Sequence, residues 1–187
     1  MEINYIIKKS YRRSISVKVT SDENVLVKAP IGTPTGTVEE FLYSKKTWIT
    51  RQLEKVREEK QRANELGAFT PEELRKIHAK AKEIIPQRVA YYAKSGNFSY
   101  NQIFIRLQKT RWGSCSAEGN LNFNCLLVLM PPEVLDSVVV HELCHRHHMD
   151  HSKAFYDEVL RLYPEYKKWN KWLKQNGSVY LVRASKI

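Results

Sequence analysis

Pro131-Pro132-Glu133-Val134-Leu135-Asp136-Ser137-Val138-Val139-Val140-His141-Glu142-Leu143-Cys144-His145 opens on prolines and an acid, the signature of a helix start, and continues as an apolar run. A helix through His141 and His145, four residues apart, sets both imidazoles on one face, one turn apart. Two neutral imidazole nitrogens so placed bind one divalent cation at about 2.0–2.1 Å. Glu142 is adjacent, and its carboxylate reaches a water on such a cation without ligating it. This is the pattern H-E-x-x-H, two ligands and a general base. A role in packing alone would bury two imidazoles and a carboxylate within one apolar turn, which is costly without partners.

A catalytic zinc takes three protein ligands and keeps one position open. His147, His148, His151, Glu158 and Glu165 follow the helix as candidates for the third. His147 and His148 come too soon to fold back. His151 leaves five residues for the turn, the ligand spacing of the pattern H-E-x-x-H-x-x-G-x-x-H, with His148 where that pattern has glycine. No later methionine supplies the turn that accompanies that pattern. A positive φ is better tolerated by histidine than by most residues. Glu158 is the alternative, as the carboxylate of a His-His-Glu site. Cys144 points about 100° away from its helical neighbours and reads as a small buried hydrophobe.

Upstream, Ile15, Val17 and Val19 alternate with polar residues as in a half-buried strand. The turn Ser21-Asp22-Glu23-Asn24 leads to a second strand over residues 25–29, making a hairpin, and Tyr5 to Ile7 are suited to a third. Thr37-Val38-Glu39-Glu40 reads as a capping box for a helix from about Val38 to Lys60, whose Lys/Arg/Glu-rich end is a solvated face. Thr70-Pro71-Glu72-Glu73 opens another helix, which Pro86 is expected to kink or interrupt and Gly96-Asn97 to close. Ile103, Ile105 and Leu107, and part of Leu121 to Leu129, read as two strands joined by a loop from Lys109 to Gly119. Ser152 caps a further helix, and Pro164 separates it from a last one carrying Tyr166, Trp169, Trp172 and Leu173. Strands, helices, strands, helices: the order is that of an α+β protein.

Composition narrows the class. With 42% hydrophobic and 27% charged residues, the 187-residue chain is neither disordered nor collagenous. Neither a signal-peptide run nor a membrane-length apolar stretch is present, so a cytoplasmic, non-membrane protein is expected. The cysteines Cys115, Cys125 and Cys144 form no C-x-x-C pair and no even-numbered framework. The net charge of +11 favours an anionic partner, nucleic acid or a nucleotide among them, and equally suits a basic solvated surface.

Arg111-Trp112-Gly113-Ser114-Cys115 lies between the two later strands. Gly113 permits a tight backbone, Arg111 offers a forked cation and Ser114 a hydroxyl, a combination suited to stabilising an oxyanion or holding a phosphate, and equally to a Trp112 packed in the core beside an ordinary surface charge at Arg111. This loop, together with Gly119-Asn120-Leu121-Asn122-Phe123-Asn124, the His141–His145 segment, His151-Ser152-Lys153-Ala154-Phe155, Arg12-Arg13-Ser14-Ile15-Ser16-Val17 and Val27-Lys28-Ala29-Pro30, resembles the YgjP-like metallopeptidase family, which is related to the SprT and WLM metalloproteases. The resemblance implies one zinc per chain bound through His141, His145 and His151, with Glu142 catalytic and the Arg111 loop beside the metal. It also implies a zincin-like core over residues 67–187, following an N-terminal strand-hairpin and helix region over residues 1–66. On this reading Arg111 serves both catalysis and substrate binding, with Trp112 and Ser114 also contacting substrate.

Three functions follow as expectations. The first is zinc-dependent hydrolysis of a peptide or protein. The second keeps the metal and makes the substrate a nucleoside triphosphate, cleaved as by a pyrophosphatase, although no G-x-x-x-x-G-K-[ST] loop is present. The third is a basic nucleic-acid-binding module whose zinc is structural. Such a zinc more often has four protein ligands, cysteines among them. Histidine-rich sites also accept divalent metals other than zinc.

Overall fold

The computed structural model describes residues 4–185, and the chain divides into two compact units, Met1–Glu65 and Leu66–Ile187. In the first, β3 (Val25–Pro30) is central, antiparallel to β2 (Ser16–Val19) and parallel to β1 (Tyr5–Ser10). Both the expected hairpin and its third strand are therefore present. Alternation in β3 sends Val25, Val27 and Ala29 into the core and leaves Lys28 outside. The intervening turn is closed by the Asn24 N–H donating to Thr20 Oγ1 at 3.2 Å, with Glu23 at φ 63°.

The expected single helix is instead two, α1 (Thr35–Ser44) and α2 (Lys46–Glu65), broken at Lys45. Pro34 is the N-cap, so Thr37 falls inside the first turn and the predicted Thr37–Glu40 capping box does not form. A proline's fixed φ suits it to a helix entrance, and this moves the start ahead of Thr37. Val38, Leu42, Ile49 and Leu53 pack with the inner face of the sheet. The charged end of α2 is not wholly solvated: Arg57 and Lys60 both hold Glu23, at 2.9 and 3.0 Å.

The second unit begins with α3 (Pro71–Gly96). Its capping box is formed as expected, Glu73 N–H donating to Thr70 Oγ1 at 3.1 Å and Thr70 N–H to Glu73 Oε2 at 2.7 Å. Contrary to expectation, Pro86 does not interrupt the helix. It removes a single N–H donor, and the buried stripe of Ile77, Ala81, Ile85, Val89 and Ala93 continues on both sides of it. The helix closes at Asn97, whose φ of 54° and ψ of 41° are left-handed.

A second three-stranded sheet follows, in the order β4 (Ile103–Arg106), β6 (Leu121–Asn124), β5 (Gly113–Cys115). β5 lies within the segment expected to be a loop; it is short and without alternation, and exists because β6 offers an antiparallel partner. The expected second strand is shorter than Leu121 to Leu129, because Cys125–Leu129 turn into a buried 3-10 helix. There the Asn124 side chain caps the Leu126 N–H at 3.2 Å. Then come α4 (Pro132–Cys144), α5 (Lys153–Leu162), capped by Ser152, and α6 (Tyr166–Ala184). Helix α4 is buried along nearly its whole length at the centre of this unit's core. The architecture is α+β, and among the described residues no helix is long and apolar enough to cross a membrane.

Candidate metal centre

The last turn of α4 supplies His141 and Glu142, and His145 is its C-cap. The two imidazoles meet edge to face with centroids 4.9 Å apart. After the helix ends, residues 146–151 double back and bring His151 Nε2 to 3.1 Å from His141 Nε2. One nitrogen from each of His141, His145 and His151 lies within 4.8 Å of the others. Among the described residues no other group of three or more His, Cys, Asp or Glu is so placed. Phe155, fully buried on α5, packs against all three rings at 4.6 to 5.0 Å and forms their floor.

The turn carrying His151 is tied down from two sides. Arg146 donates through Nε to the Ser99 carbonyl at 2.9 Å and through Nη1 to the Ala117 carbonyl at 3.1 Å. Glu158 meets His147 Nδ1 at 3.1 Å and His148 Nε2 at 3.5 Å. Glu158 is thus a clamp on the turn and lies outside the imidazole cluster, as do His147 and His148. Glu165 instead accepts from Lys168 and Trp169. The turn is made without a left-handed His148: the non-glycine residues with positive φ among those described are Glu23 and Asn97.

The outward nitrogens of the helix histidines are both engaged. His145 Nδ1 lies 3.0 Å from the His148 carbonyl, which only accepts, so Nδ1 carries the proton and Nε2 keeps its lone pair. His141 Nδ1 lies 2.8 Å from Tyr166 Oη, and Asn170 Nδ2 donates to that oxygen at 3.1 Å. Burial, reinforced by His145, His151 and Lys174, holds the His141 pKa down at about 3, and burial lowers that of His145 as well. Neutral imidazoles are the form that ligates a metal. Ligand nitrogens around a tetrahedral zinc are about 3.3 Å apart, given bonds of about 2.0–2.1 Å. The 3.1 Å separation of the His141 and His151 Nε2 atoms matches that spacing, so the residues fit a metal of this kind.

Glu142 is buried, and burial pushes its carboxyl up to about 8 against the opposing pull of Arg111. It lines a cavity of about 260 Å³ together with His141, Arg111, Trp112, Tyr166 and Asn170. Two of the three Arg111-loop residues expected at substrate are therefore at this cavity. Ser114 is not among its lining residues: it lies in β5, where its Cα partner is Asn122. Arg111 is exposed and makes no ion pair among the described residues. The loop is held by the fully buried Asn124, whose Nδ2 donates to the carbonyls of Gln108 at 2.8 Å and Arg111 at 3.0 Å. Cys144 is fully buried, its thiol raised to about 12 by burial, and it takes no part in the cluster. Nothing in the sequence around Tyr166, Asn170 and Phe155 signals a part in the site. Their local patterns are those of ordinary helices.

The YgjP-like, metallopeptidase domain family model matches residues 13–75 and 70–176. Among solved structures, the metallopeptidase zymogen of Pyrococcus abyssi abylysin is similar at 18% identity, with 49% of this chain and 94% of that chain covered and a TM-score of 0.45. The metallopeptidase zymogen of Methanocaldococcus jannaschii jannalysin is similar at 23% identity, with 50% and 96% covered and a TM-score of 0.45. No curated protein matches the chain. The protein is a metal-dependent hydrolase of the metallopeptidase class. Within that class, the chain belongs to the YgjP-like family.

Proposed function

We propose that this protein is a zinc-dependent peptidase in which His141, His145 and His151 hold the metal and Glu142 is the general base. The observation that carries this reading is the convergence of the three imidazole nitrogens within 4.8 Å, beside a cavity that Glu142 also lines. Zinc, when bound, supplies Lewis acidity, acidifying water and polarising a carbonyl. Glu142 accepts the proton given up by the attacking water and returns it to the departing amine. Arg111, whose charge acts on Glu142 from the same cavity, steadies negative charge as it builds on the substrate oxygen. The test is Glu142→Ala in a peptide-library digest read by mass spectrometry. Cleavage should vanish while zinc content stays that of the wild type; unchanged cleavage would overturn the mechanism.

A second reading is favoured by the same Arg111. A fork-shaped cation on a cavity of about 260 Å³ also suits the phosphates of a nucleoside triphosphate. Release of pyrophosphate across the common triphosphates distinguishes the two, and none from any of them removes this alternative.

A further inference from the structure

The two helix histidines are oriented by chemically different partners. His145 is fixed by a backbone carbonyl three residues on, which comes with the turn itself and cannot be altered by substitution. His141 is fixed by a side chain, Tyr166 Oη at 2.8 Å, contributed by α6 from 25 residues further along. A hydroxyl both donates and accepts, so unlike a carbonyl it does not by itself select one tautomer of the imidazole. Asn170, one turn further along α6, donates through Nδ2 to Tyr166 Oη at 3.1 Å and so fixes where that oxygen sits, while its O–H stays free to turn. With the Nε2 lone pair of His141 committed to a metal, the ring's proton is on Nδ1 and the oxygen is its acceptor. The Tyr166 ring lies nearly parallel to that of His141, at 14° with centroids 5.9 Å apart. Tyr166 is itself 5% exposed, so water does not readily replace it as partner.

From this we infer that Tyr166, held by Asn170, is a positioning residue for the metal: it accepts the Nδ1–H of His141 and thereby presents the Nε2 lone pair toward His145 and His151. The inference rests on the metal-site reading above and extends it to α6. A hydrogen bond to the outward nitrogen of a ligating histidine fixes ring orientation and raises its basicity, and losing one typically weakens metal binding roughly 10- to 100-fold. Phenylalanine at position 166 keeps the ring and its packing and removes only the oxygen.

The experiment is a zinc competition titration against a chromophoric chelator on the full chain, comparing wild type, Tyr166→Phe and Asn170→Ala. Tyr166→Phe should weaken zinc roughly 10- to 100-fold, with the melting temperature of the metal-free protein little changed. Asn170→Ala should weaken it less, because the tyrosine oxygen remains. It also serves should the phenylalanine variant fold poorly. In the zinc-loaded wild type, ¹⁵N spectra of the imidazoles should show His141 protonated at Nδ1 and protected from solvent exchange, and Tyr166→Phe should lose that protection. A Tyr166→Phe protein that binds zinc as tightly as wild type overturns the positioning role. Wild type that binds no zinc at all is a different result, and overturns the metal-site reading together with this one.

Discussion

A Cβ placed on Gly113 would lie 2.6 Å from Glu142 Oε1 and 2.7 Å from its Cγ, so the buried carboxyl occupies space that any other residue in β5 would claim. The contact is with the side chain's stem as well as its end, and Glu142 is buried, so a shift cannot be confined to one atom. Gly113→Ala is therefore expected to displace Glu142 while leaving the histidines in place. Displacements of about 1 Å at a reacting group cost on the order of 100-fold in rate. Peptide cleavage should fall roughly 10- to 100-fold with zinc content unchanged, measured by turnover beside elemental analysis. Full activity in Gly113→Ala would mean that the carboxyl has another seat.

Metal content is the most direct check on the cluster. About one zinc per chain is expected by elemental analysis in the wild type, and none in a His141→Ala/His145→Ala double variant. Chelation should also lower thermal stability. A ligand at about 1,000 times its dissociation constant stabilises by about 4 kcal/mol, which for a chain of this size is on the order of 10 °C in melting temperature. A melting temperature indifferent to zinc and to chelator would count against a site formed by the folded chain.

Each signal in the sequence acts over its own range, and that range decides which site residues are legible from it. His141, Glu142 and His145 share one helical turn, and helix geometry alone relates them. His151 is six residues beyond His145, with five between them for the turn, close enough for spacing to single it out. Tyr166 is separated from His141 by a turn, a helix and Pro164, and only the packing of α6 on α4 brings its hydroxyl to 2.8 Å. Strand β5 carried no periodic signal over Gly113-Ser114-Cys115, since its pairing is decided by β6. At the first helix two local signals competed, and Pro34 at the cap took precedence over the Thr37–Glu40 pattern.

Glu158 provides a test of how His151 is delivered. Its carboxylate is in contact with His147 at 3.1 Å and His148 at 3.5 Å, and so ties the turn to α5. Glu158→Ala should loosen residues 146–151 without touching α4, weakening zinc by roughly tenfold, toward the lower end for lost outer partners. Limited proteolysis should then cut within that turn faster than in wild type. Zinc affinity and proteolysis both unchanged in Glu158→Ala would show that the turn holds His151 without this contact.

Alkaline stability tests the polar cluster that ties α3 to α4. Arg88 grips Asp136 with two bonds, at 2.7 and 2.6 Å, and Tyr92 donates to the same carboxylate at 3.2 Å. Burial first, and the Asp136 charge second, push the Tyr92 phenol up to about 12 from its ordinary 10. Burial, with Asp136 next, raises Tyr163 in the same direction. Between these values the unfolded chain has lost the phenol proton and the folded chain still holds it, so the folded state binds more protons. Stability from these groups is then fully present below about pH 10 and declines as pH rises through about 12. Lysines titrate in the same range, so the measurement is the difference between wild type and Tyr92→Phe in urea unfolding from pH 8 to 11. Tyr92→Phe should be the less stable protein at pH 8, having lost a bond to a buried carboxylate, and should show the shallower decline above pH 10. Parallel declines in the two proteins would show that Tyr92 ionises no differently in the folded chain than in the unfolded one.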